Sequence, residues 1–316
     1  MKILVTSAAR KAPLVAAAKA AALRLDSSAK VIAGDLDPAA PARYVADEFW
    51  HMPPTTESFA ETLLAGCRAC GVGVVLPTRD GELVFWAAQR ARFAAEGIAV
   101  IVSSPPSVER CLDKLAFAEF GLAHGLPFIP AGLTPQAVGP GPYVVKERFG
   151  AGSRALGLNL DRAAALAHGA HLSAPIYQPF VAGREISIDA WLDRHRRMKG
   201  VVLRRRDVVV DGESQVTTTF RDGALEAAAG CIVEALELEG PVVLQALLDE
   251  TAGLHVIECN SRFGGASTAA IAAGLDLLTW SFLEACGHAL PAFVRNPGEV
   301  RQVRLPSDLI LHDPDL

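Results

Sequence analysis

The chain has 316 residues, of which 51% are hydrophobic and 21% are charged, and this composition is typical of a globular protein. Thirty basic and thirty-five acidic residues give a formal net charge of −5, which excludes the strongly basic surface of a general nucleic-acid-binding protein. The most apolar stretch, residues 272–290, contains Asp276 and Glu284, so it does not supply the roughly 20 apolar residues of a membrane span. We therefore predict a globular protein that binds neither nucleic acid nor membrane.

The cysteine pattern favours a reducing compartment. The first residues, MKILVTSAARK, predict a strand followed by a polar turn rather than a secretory signal, so we expect six reduced thiols in a cytoplasmic protein. Cys67 and Cys70 form a CxxC at the end of a predicted amphipathic helix. Because no second cysteine pair lies nearby, we interpret them as small apolar side chains rather than as a zinc or redox site.

The first 105 residues alternate between short apolar strands and helices. The predicted strands are KILVTS, KVIAGD, VGVVLP and IAVIVS, and the clearest helices between them are Ala12–Leu25 and Glu57–Ala69. This alternation is typical of an open α/β sheet with parallel strands, in which ligands bind outside the carboxyl ends of the strands. The polar residues at those ends are Thr6, Ser7, Arg10, Asp35, Asp37, Thr78, Asp80 and Glu82. No GxGxxG follows the first strand, so the dinucleotide fingerprint is absent.

The pattern changes after residue 105. A helix with one break is predicted over Pro106–His124, and a proline-rich passage and the helix Arg162–His168 follow it. The predicted strands are YVVKERF, IYQPFV, REISIDAWL, KGVVLRRRDVVV, VVLQALLDE and LHVIECNSR, with a turn at Thr251-Ala252-Gly253. Such a series predicts a largely antiparallel sheet with flanking helices. The tail after Arg295 is expected to form a loop or a short strand.

The segment VVKERFGAGSRALG combines a lysine with a glycine-rich turn. Lys146 ends a predicted strand, and Gly150, Gly152 and Ser153 follow it. Backbone N–H groups in such a turn can surround phosphate oxygens while the lysine neutralises their charge. The segment is not a Walker A motif, because no GKS or GKT follows the glycines. Taken alone, it is equally typical of an ordinary hairpin.

The segment HVIECNSRFGG places polar side chains at alternate positions of a strand. Glu258, Asn260 and Arg262 therefore share one face, on which Gln245 of the preceding strand could lie opposite Glu258. Carboxylate and amide oxygens suit Mg²⁺, and a neighbouring arginine suits phosphate. Taken singly, this motif is explained as well by the polar face of a half-exposed sheet.

Two further segments carry polar residues between apolar runs. VVLRRRDVV places Arg204 and Arg206 on one face of a strand and Arg205 on the other, although clustered cations on a strand are usually solvated. YQPFVAGREISIDAW contains Gln178 and Glu185. The backbone of Pro179, Phe180 and Val181 could pair with adenine while a carboxylate holds ribose hydroxyls.

In this order the motifs resemble the ATP-grasp superfamily over nearly the whole chain, and most closely its carbamoyl-phosphate-synthase-large-chain-like ligases. The family order is an α/β domain, a linker helix with a basic residue, a lysine with a glycine-rich lid, a hinge with a following glutamate, a basic strand, and Gln or Asp before Glu-x-Asn-x-Arg. The matching features here are Lys114 in CLDK, Lys146 with GAGS, QPFVAGRE, LRRR, Gln245 and ECNSR. Each motif alone is weak, but their common order is specific. One departure is Gln178, where the family often has an acidic residue.

The resemblance implies an α/β and α+β fold, namely an ATP-grasp fold preceded by a Rossmann-like parallel-sheet domain. We expect the pre-ATP-grasp domain at 1–105 and the ATP-grasp domain at 106–300. Within the latter, the lid subdomain would span about 125–177 and the catalytic sheet about 178–295, and residues 301–316 would form a tail.

The resemblance also implies roles for the residues of these motifs. ATP would be bound by Lys114, Lys146, Gly150, Gly152, Ser153, Gln178, Pro179, Phe180, Val181 and Glu185. One or two Mg²⁺ ions, or Mn²⁺ in their place, would be held by Gln245, Glu258 and Asn260. Arg262, with Arg204 and Arg206, would stabilise the phosphoryl group during its transfer.

The implied activity is that of an ATP-dependent carboxylate–amine ligase, which forms an amide through an acyl phosphate. Its partners would be a small carboxylate and a small amine, with a second copy of the chain in a homodimer. Two alternatives remain open at this stage: a phosphotransferase that stops at an acyl phosphate or carbamate, and a non-catalytic ATP-binding protein. Measuring ADP formation with and without an added amine separates the ligase from the phosphotransferase.

Overall fold

The architecture rests on three β-sheets. The computed structural model describes residues 1–150, 152, 155–249, 253–305 and 308–310. In these ranges fourteen strands form sheets of five, six and three strands. The predicted combination of a parallel α/β sheet and a mainly antiparallel second part is confirmed. No helix within the described ranges is long and apolar enough to cross a membrane.

The first sheet is parallel and has the strand order β3-β2-β1-β4-β5. Its strands are β1 (Lys2–Thr6), β2 (Lys30–Asp35), β3 (Glu48–His51), β4 (Val74–Leu76) and β5 (Ala99–Val100), and its helices are α1 (Ala12–Leu25), α2 (Ala60–Cys70) and α3 (Asp80–Ala94). The four predicted strands and both predicted helices are confirmed. The sequence did not indicate β3, because EFWH is a short edge strand without a run of Val or Ile.

Both faces of this sheet are buried, as expected when crossover helices cover a parallel sheet. Leu4 of β1 packs with α2 and α3, whereas its neighbours Ile3 and Val5 face a core that α1 shares with the C-terminal helices. These helices are α8 (Ser267–Ala272) and α9 (Leu277–Ala285), and α9 contributes Trp280 and Phe282 to that core. The shared core holds the first sheet against the second part of the chain.

Two helices connect the parts: α4 (Pro105–Leu112) and α5 (Lys114–Ala123). The predicted break lies at Asp113, whose backbone is extended and whose carboxylate accepts hydrogen bonds from the N–H groups of Leu115 and Ala116. An Asp at this position caps the new helix by satisfying free N–H groups of its first turn. Arg148 also donates to Asp113, at 2.7 Å through Nε, and so connects the segment around residue 148 to these helices.

The remaining sheets are antiparallel. The three-stranded sheet has the order β7-β6-β8, and the six-stranded sheet has the order β13-β12-β9-β10-β11-β14. The elements are β6 (Tyr143–Glu147), β7 (Gly157–Leu160), α6 (Arg162–Gly169), β8 (Pro175–Pro179), β9 (Arg184–Leu192), β10 (Met198–Val210), β11 (Glu213–Phe220), α7 (Gly223–Ala235), β12 (Gly240–Asp249), β13 (Gly253–Asn260) and β14 (Arg301–Val303). The short strand expected in the tail is β14. In the predicted turn before β13, Thr251 and Ala252 lie outside the described residues.

A buried ion pair fixes the centre of the six-stranded sheet. Arg204 Nε of β10 donates to Asp189 Oδ2 of β9 at 2.5 Å, and Arg204 Nη1 donates to Thr217 Oγ1 of β11 at 3.2 Å. Ser267 Oγ of α8 donates to the other carboxylate oxygen of Asp189 at 2.5 Å. Since Arg204 is 2% exposed and Asp189 is fully buried, these bonds replace the water that both charges lose on folding.

We predict that Asp189→Ala lowers the free energy of unfolding by about 3–5 kcal/mol, because it leaves the buried guanidinium of Arg204 without a counter-charge. Chemical denaturation followed by circular dichroism measures the change. Glu61→Ala is the matched control, since Glu61 pairs with Arg92 at the surface and should leave the midpoint nearly unchanged. Equal midpoints for Asp189→Ala and Glu61→Ala would contradict a stabilising role of the buried pair.

Candidate active site

A cleft of about 1090 Å³ lies between the carboxyl edge of the first sheet and one face of the six-stranded sheet. Its lining from the first sheet includes Ser7, Arg10, Lys11, Asp35, Thr78, Arg79 and Asp80. Its lining from the second part includes Gly152, Ser187, Arg204, Arg206, Gln245, Glu258, Asn260 and Arg262. The cleft is thus situated where ligands of open α/β sheets bind, beyond the strand ends.

The end of β13 contributes side-chain oxygen atoms to the cleft. In the antiparallel register Gln245 of β12 lies opposite Glu258, as the sequence suggested, and Val243 lies opposite Asn260. Glu258 and Asn260 line the cleft, whereas the intervening Cys259 is buried in the core on the other side of the sheet. Strand alternation therefore separates the polar residues from the core.

A chain of polar contacts connects Glu258 to the basic strand. In the amide orientation that satisfies both of its neighbours, Gln245 donates from nitrogen to Glu258 Oε1 at 3.2 Å, and its oxygen accepts from Arg206 Nη1 at 3.2 Å. Arg206 Nη1 also lies 2.9 Å from Glu185 Oε1, and Arg206 Nη2 donates to the carbonyl of Gly212. The oxygen of Gln245 then faces Arg206 rather than Glu258, so it would join a metal site only after the amide rotates.

Two lysines approach the same carboxylates from the linker and the three-stranded sheet. Lys146 on β6 is 8% exposed, and its pKa is lowered to about 8, first by burial and further by Lys114, while Glu258 and Glu185 oppose the shift. Burial also raises the pKa of Glu185, with a further contribution from Glu258, and Arg206 counteracts it. Lys114 Nζ donates to the carbonyl of Gly150 at 2.6 Å.

Arg262 is held by a carboxylate from the first sheet. Its Nε and Nη2 donate to the two oxygens of Asp80 at 2.6 and 2.5 Å. Nη2 also donates to Asn260 Oδ1 at 3.1 Å, and Nη1 donates to the carbonyl of Phe263. Burial lowers the pKa of Arg262, but the charge and hydrogen bonds of Asp80, together with the charges of Glu258 and Glu82, outweigh burial and raise the pKa, so the guanidinium stays charged.

The predicted site residues are not all brought together in one cavity. Lys114 and Gly150 line a smaller cavity beside the cleft, which also contacts Glu258 and Asn260. Neither cavity is lined by Lys146, Gln178, Pro179, Phe180, Val181 or Glu185 among the described residues, although Lys146 and Glu185 interact with Glu258. Ser153 lies outside the described residues.

The hinge and the basic strand differ from the expectation in three details. The N–H of Phe180 donates to the carbonyl of Pro142 at 2.9 Å, so it is not free to pair with adenine. The side chain of Gln178 is buried and donates to the carbonyl of Ile129. Arg204 lines the cleft together with Arg206, but its guanidinium is hydrogen-bonded to Asp189. Its main contact is therefore within the six-stranded sheet rather than with the cleft.

Sequence reasoning missed Lys11, Arg79 and Asp189. Lys11 and Arg79 line the cleft from the loops after β1 and β4. The signal for both was available, because each stands beside a residue already named at a strand end, Arg10 and Asp80. Asp189 had no such signal, since it occupies an inward position of a strand that reads as mainly apolar.

We predict that the lowered pKa of Lys146 makes its contribution to stability depend on pH. Between pH 8 and 10.5 the unfolded chain binds more protons at this lysine than the folded chain does, so the free energy of unfolding rises with pH in this window. Below pH 8 the lysine is charged in both states, and the folded protein bears the full free-energy cost of burying that charge. Lys146→Met should therefore gain stability relative to wild type at pH 7, and this difference should narrow by about 2 kcal/mol by pH 10. Urea denaturation at both pH values measures it.

Lys30→Met serves as the control, because the Lys30 side chain is half exposed and pairs with Glu48 at the surface. A stability difference between Lys146→Met and wild type that stays constant from pH 7 to 10 would show that Lys146 is not desolvated in the folded protein.

Two known protein families match the chain, one in each of its two parts. The family described as PylC-like, N-terminal domain, matches residues 3–101. The family described as ATP-grasp in the biosynthetic pathway with Ter operon matches residues 172–305. Together these matches span more than two thirds of the chain. No curated protein sequence matches the chain.

Solved structures share the fold at low sequence identity. The biotin carboxylase domain dimer of Hydrogenobacter thermophilus 2-oxoglutarate carboxylase, in complex with MgADP, ADP and bicarbonate, has a TM-score of 0.76 at 17% identity, over 95% of this chain and 73% of that chain. N5-carboxyaminoimidazole synthetase from Staphylococcus aureus, complexed with ADP, has a TM-score of 0.70 at 16% identity, over 92% and 78%. N5-carboxyaminoimidazole ribonucleotide synthetase from Thermus thermophilus has a TM-score of 0.72 at 19% identity, over 95% and 82%. The chain thus has the ATP-grasp fold, with a PylC-like N-terminal domain matched over 3–101 and an ATP-grasp domain matched over 172–305.

Proposed function

We propose that the chain is a carboxylate–amine ligase that forms an amide through an acyl phosphate, with conversion of ATP to ADP and phosphate. The observation that carries this proposal is the end of β13, where Glu258 and Asn260 face the cleft beside Arg262 and within the electrostatic reach of Lys146. Oxygen ligands, phosphate-binding cations and a large open cleft then occur in one place. A non-catalytic nucleotide-binding protein has no need of the oxygen ligands.

The nucleotide would be bound at the side of the cleft that adjoins the linker and the three-stranded sheet. Lys114 and Lys146 supply positive charge there for its phosphates, and both approach Glu258. Gly150 and Gly152 have φ angles of +113° and +81°, which residues other than glycine rarely adopt. These glycines would allow the lid backbone to present N–H groups to phosphate oxygens.

The residues at the end of β13 fit a magnesium ion. Glu258 and Asn260 offer hard oxygen atoms, and Gln245 offers a third after rotation of its amide. Glu258 is the sole carboxylate of this set, and Mg²⁺ typically takes only one or two carboxylates together with water and substrate phosphates. When bound, Mg²⁺ neutralises the phosphate charge that would otherwise repel a carboxylate nucleophile.

The contribution of the chain to phosphoryl transfer is positioning and charge. Arg206 Nε is buried without a hydrogen-bond partner among the described residues, so an anionic oxygen in the cleft would satisfy it. Arg262, fixed by Asp80, presents positive charge beside Asn260. In the first step a substrate carboxylate oxygen bonds to the γ-phosphorus while the bond to the ADP oxygen breaks.

In the second step the amine nitrogen attacks the carbonyl carbon, and phosphate leaves with the bonding electrons. The amine proton passes to the departing phosphate or to water. No Ser or Cys nucleophile is required. Among the structures of similar fold named above, the biotin carboxylase domain contains bicarbonate, and the other two enzymes are named as synthetases of carboxyaminoimidazole compounds. Bicarbonate is therefore one of the acids to be tested.

The experiment that tests the proposal is a screen for ADP release from MgATP, with small carboxylic acids and bicarbonate supplied alone and with amino acids or other small amines. The ligase is supported if ADP release requires both an acid and an amine and mass spectrometry detects the amide. ADP release that an acid alone supports to full rate would favour the phosphotransferase. No ADP release with any pair, in protein that binds MgADP, would contradict both enzymes.

We predict that Glu258→Gln lowers ADP formation by at least about a hundredfold, because the substitution removes the only negative charge among the proposed magnesium ligands Gln245, Glu258 and Asn260. Turnover at saturating MgATP measures the effect. Glu96→Gln on the surface is the matched control and should retain the wild-type rate. Near-wild-type turnover of Glu258→Gln at ordinary Mg²⁺ would remove Glu258 from the metal assignment.

We also predict that Arg206→Ala lowers turnover by about a hundred- to a thousandfold, because phosphoryl charge would lose a preorganised donor. Arg205 is the internal control: it lies on the same strand, is 41% exposed and packs against the ring of Phe220. Arg205→Ala should retain most of the activity. Kinetics at fixed Mg²⁺ on folded variants measures both rates, and equal losses would show that the basic strand has no directed role.

A further inference from the structure

The wall of the cleft that belongs to the first sheet carries a group of cations with no role in the nucleotide site. Arg10, Lys11 and Arg79 line the cleft from the loops after β1 and β4, and we call them the strand-end basic cluster. They face the six-stranded sheet across the cleft. Their position separates them from Lys114 and Lys146, which approach Glu258 from the linker and β6.

The cations of the opposite wall are already compensated. Arg204 pairs with Asp189, Arg206 with Glu185 and Arg262 with Asp80. Glu213, which also lines the cleft, pairs with Arg304. By contrast, no carboxylate among the described residues lies within 4.0 Å of the charged atoms of Arg10, Lys11 or Arg79. The members of the strand-end basic cluster are therefore the cleft-lining cations that have no direct carboxylate partner among the described residues.

Lys11 is the member of the cluster most removed from water. Burial lowers its pKa, and Arg262 adds to this effect, whereas Glu213 and Asp80, the carboxylates that pair with Arg304 and Arg262, oppose it. The first turn of α1, which follows Lys11, contains no acidic residue and receives no side-chain cap. The positive end of the helix thus adds to the charge of the cluster.

The loop that presents Lys11 is held in place by bonds from three strand ends. Thr78 Oγ1 donates to the carbonyl of Thr6 at 2.7 Å, and Asp35 Oδ2 accepts from the N–H of Ala9 at 2.8 Å. Ser7 has a φ of +49°, an unfavourable value for a residue with a side chain, and its Oγ accepts from Arg79 Nε at 3.2 Å. Strain that surrounding bonds maintain is characteristic of functional loops.

The cluster lies next to the reacting centre of the proposed function. Arg262 contacts Asn260 directly, and Lys11 is close enough to Arg262 and Asp80 for their charges to affect its pKa. Arg262 therefore lies next to Asn260, and Lys11 lies beyond Arg262 on the side of the first sheet. An acid whose reacting carboxylate lies at Asn260 and Arg262 can extend its other end toward Lys11.

We propose that the strand-end basic cluster binds a second anionic group of the acid substrate, so that this substrate carries at least two oxyanionic groups. The second group is a carboxylate or a phosphate, which share the chemistry that a lysine and two arginines recognise. The inference rests on the proposed function, because it takes the reacting carboxylate to lie at Asn260 and Arg262.

The test is calorimetric titration of MgADP-saturated protein with three probes: propionate with one carboxylate, succinate with two, and 3-phosphoglycerate with a carboxylate and a phosphate. Wild type should bind at least one dianion about ten- to a hundredfold more tightly than propionate. Lys11→Met and Arg10→Met should lose this gain and bind propionate as wild type does. Lys30→Met, which removes an exposed lysine outside the cleft, should keep the gain. Tighter binding of succinate identifies the second group as a carboxylate, and tighter binding of 3-phosphoglycerate identifies it as a phosphate.

MgADP affinity, measured on every variant, separates failure of the inference from failure of the proposed function. Normal MgADP binding with no gain for either dianion, or with a gain that persists in both Lys11→Met and Arg10→Met, overturns the inference and leaves the ligase proposal standing. Absence of MgADP binding by the wild-type protein contradicts the proposed function and the inference with it. Because Arg10 is exposed, Arg10→Met keeps the test valid if Lys11→Met does not fold.

Discussion

The bidentate ion pair between Arg262 and Asp80 is the interaction on which the site depends. It joins the end of β13 to the first turn of α3, which are 182 residues apart in the chain. Both side chains are largely removed from water, so losing either partner would leave an uncompensated charge at the cleft. The N-terminus of α3 also favours a carboxylate. The pair thus holds the two walls of the cleft in contact at the point where the chemistry is proposed.

Charge compensation elsewhere in the cleft determines which groups remain for ligands. Asp189 neutralises Arg204 inside the sheet, whereas Arg206 is shared between Glu185 and the amide of Gln245 and still has a free Nε among the described residues. The groups left are the buried lysine on β6, the oxygen atoms of β13 and the strand-end basic cluster. They fall into three neighbouring regions, which suit the phosphates, the metal and the acid substrate of a ligase.

The sequence was sufficient where function follows strand alternation and chain order. Period-two spacing predicted that Glu258 and Asn260 face away from Cys259, and the short hairpin predicted the register with Gln245. It was insufficient where individual side chains and backbone groups pair. The Asp80–Arg262 pair is set by how the two parts of the chain pack. The Asp189–Arg204 pair and the bond that occupies the N–H of Phe180 depend on the exact register of neighbouring strands. Edge strands such as β3 and β7 were missed because they are short and only partly buried.

Oxygen transfer tests the central claim, that the cleft phosphorylates a carboxylate, most directly. The acid identified by the ADP-release screen would be labelled with ¹⁸O in its carboxylate and turned over with MgATP and its amine. If an acyl phosphate forms, each molecule of released phosphate carries one ¹⁸O atom from the acid. The isotope shift in ³¹P spectra detects this atom. Phosphate that contains no ¹⁸O while the amide accumulates would contradict the account.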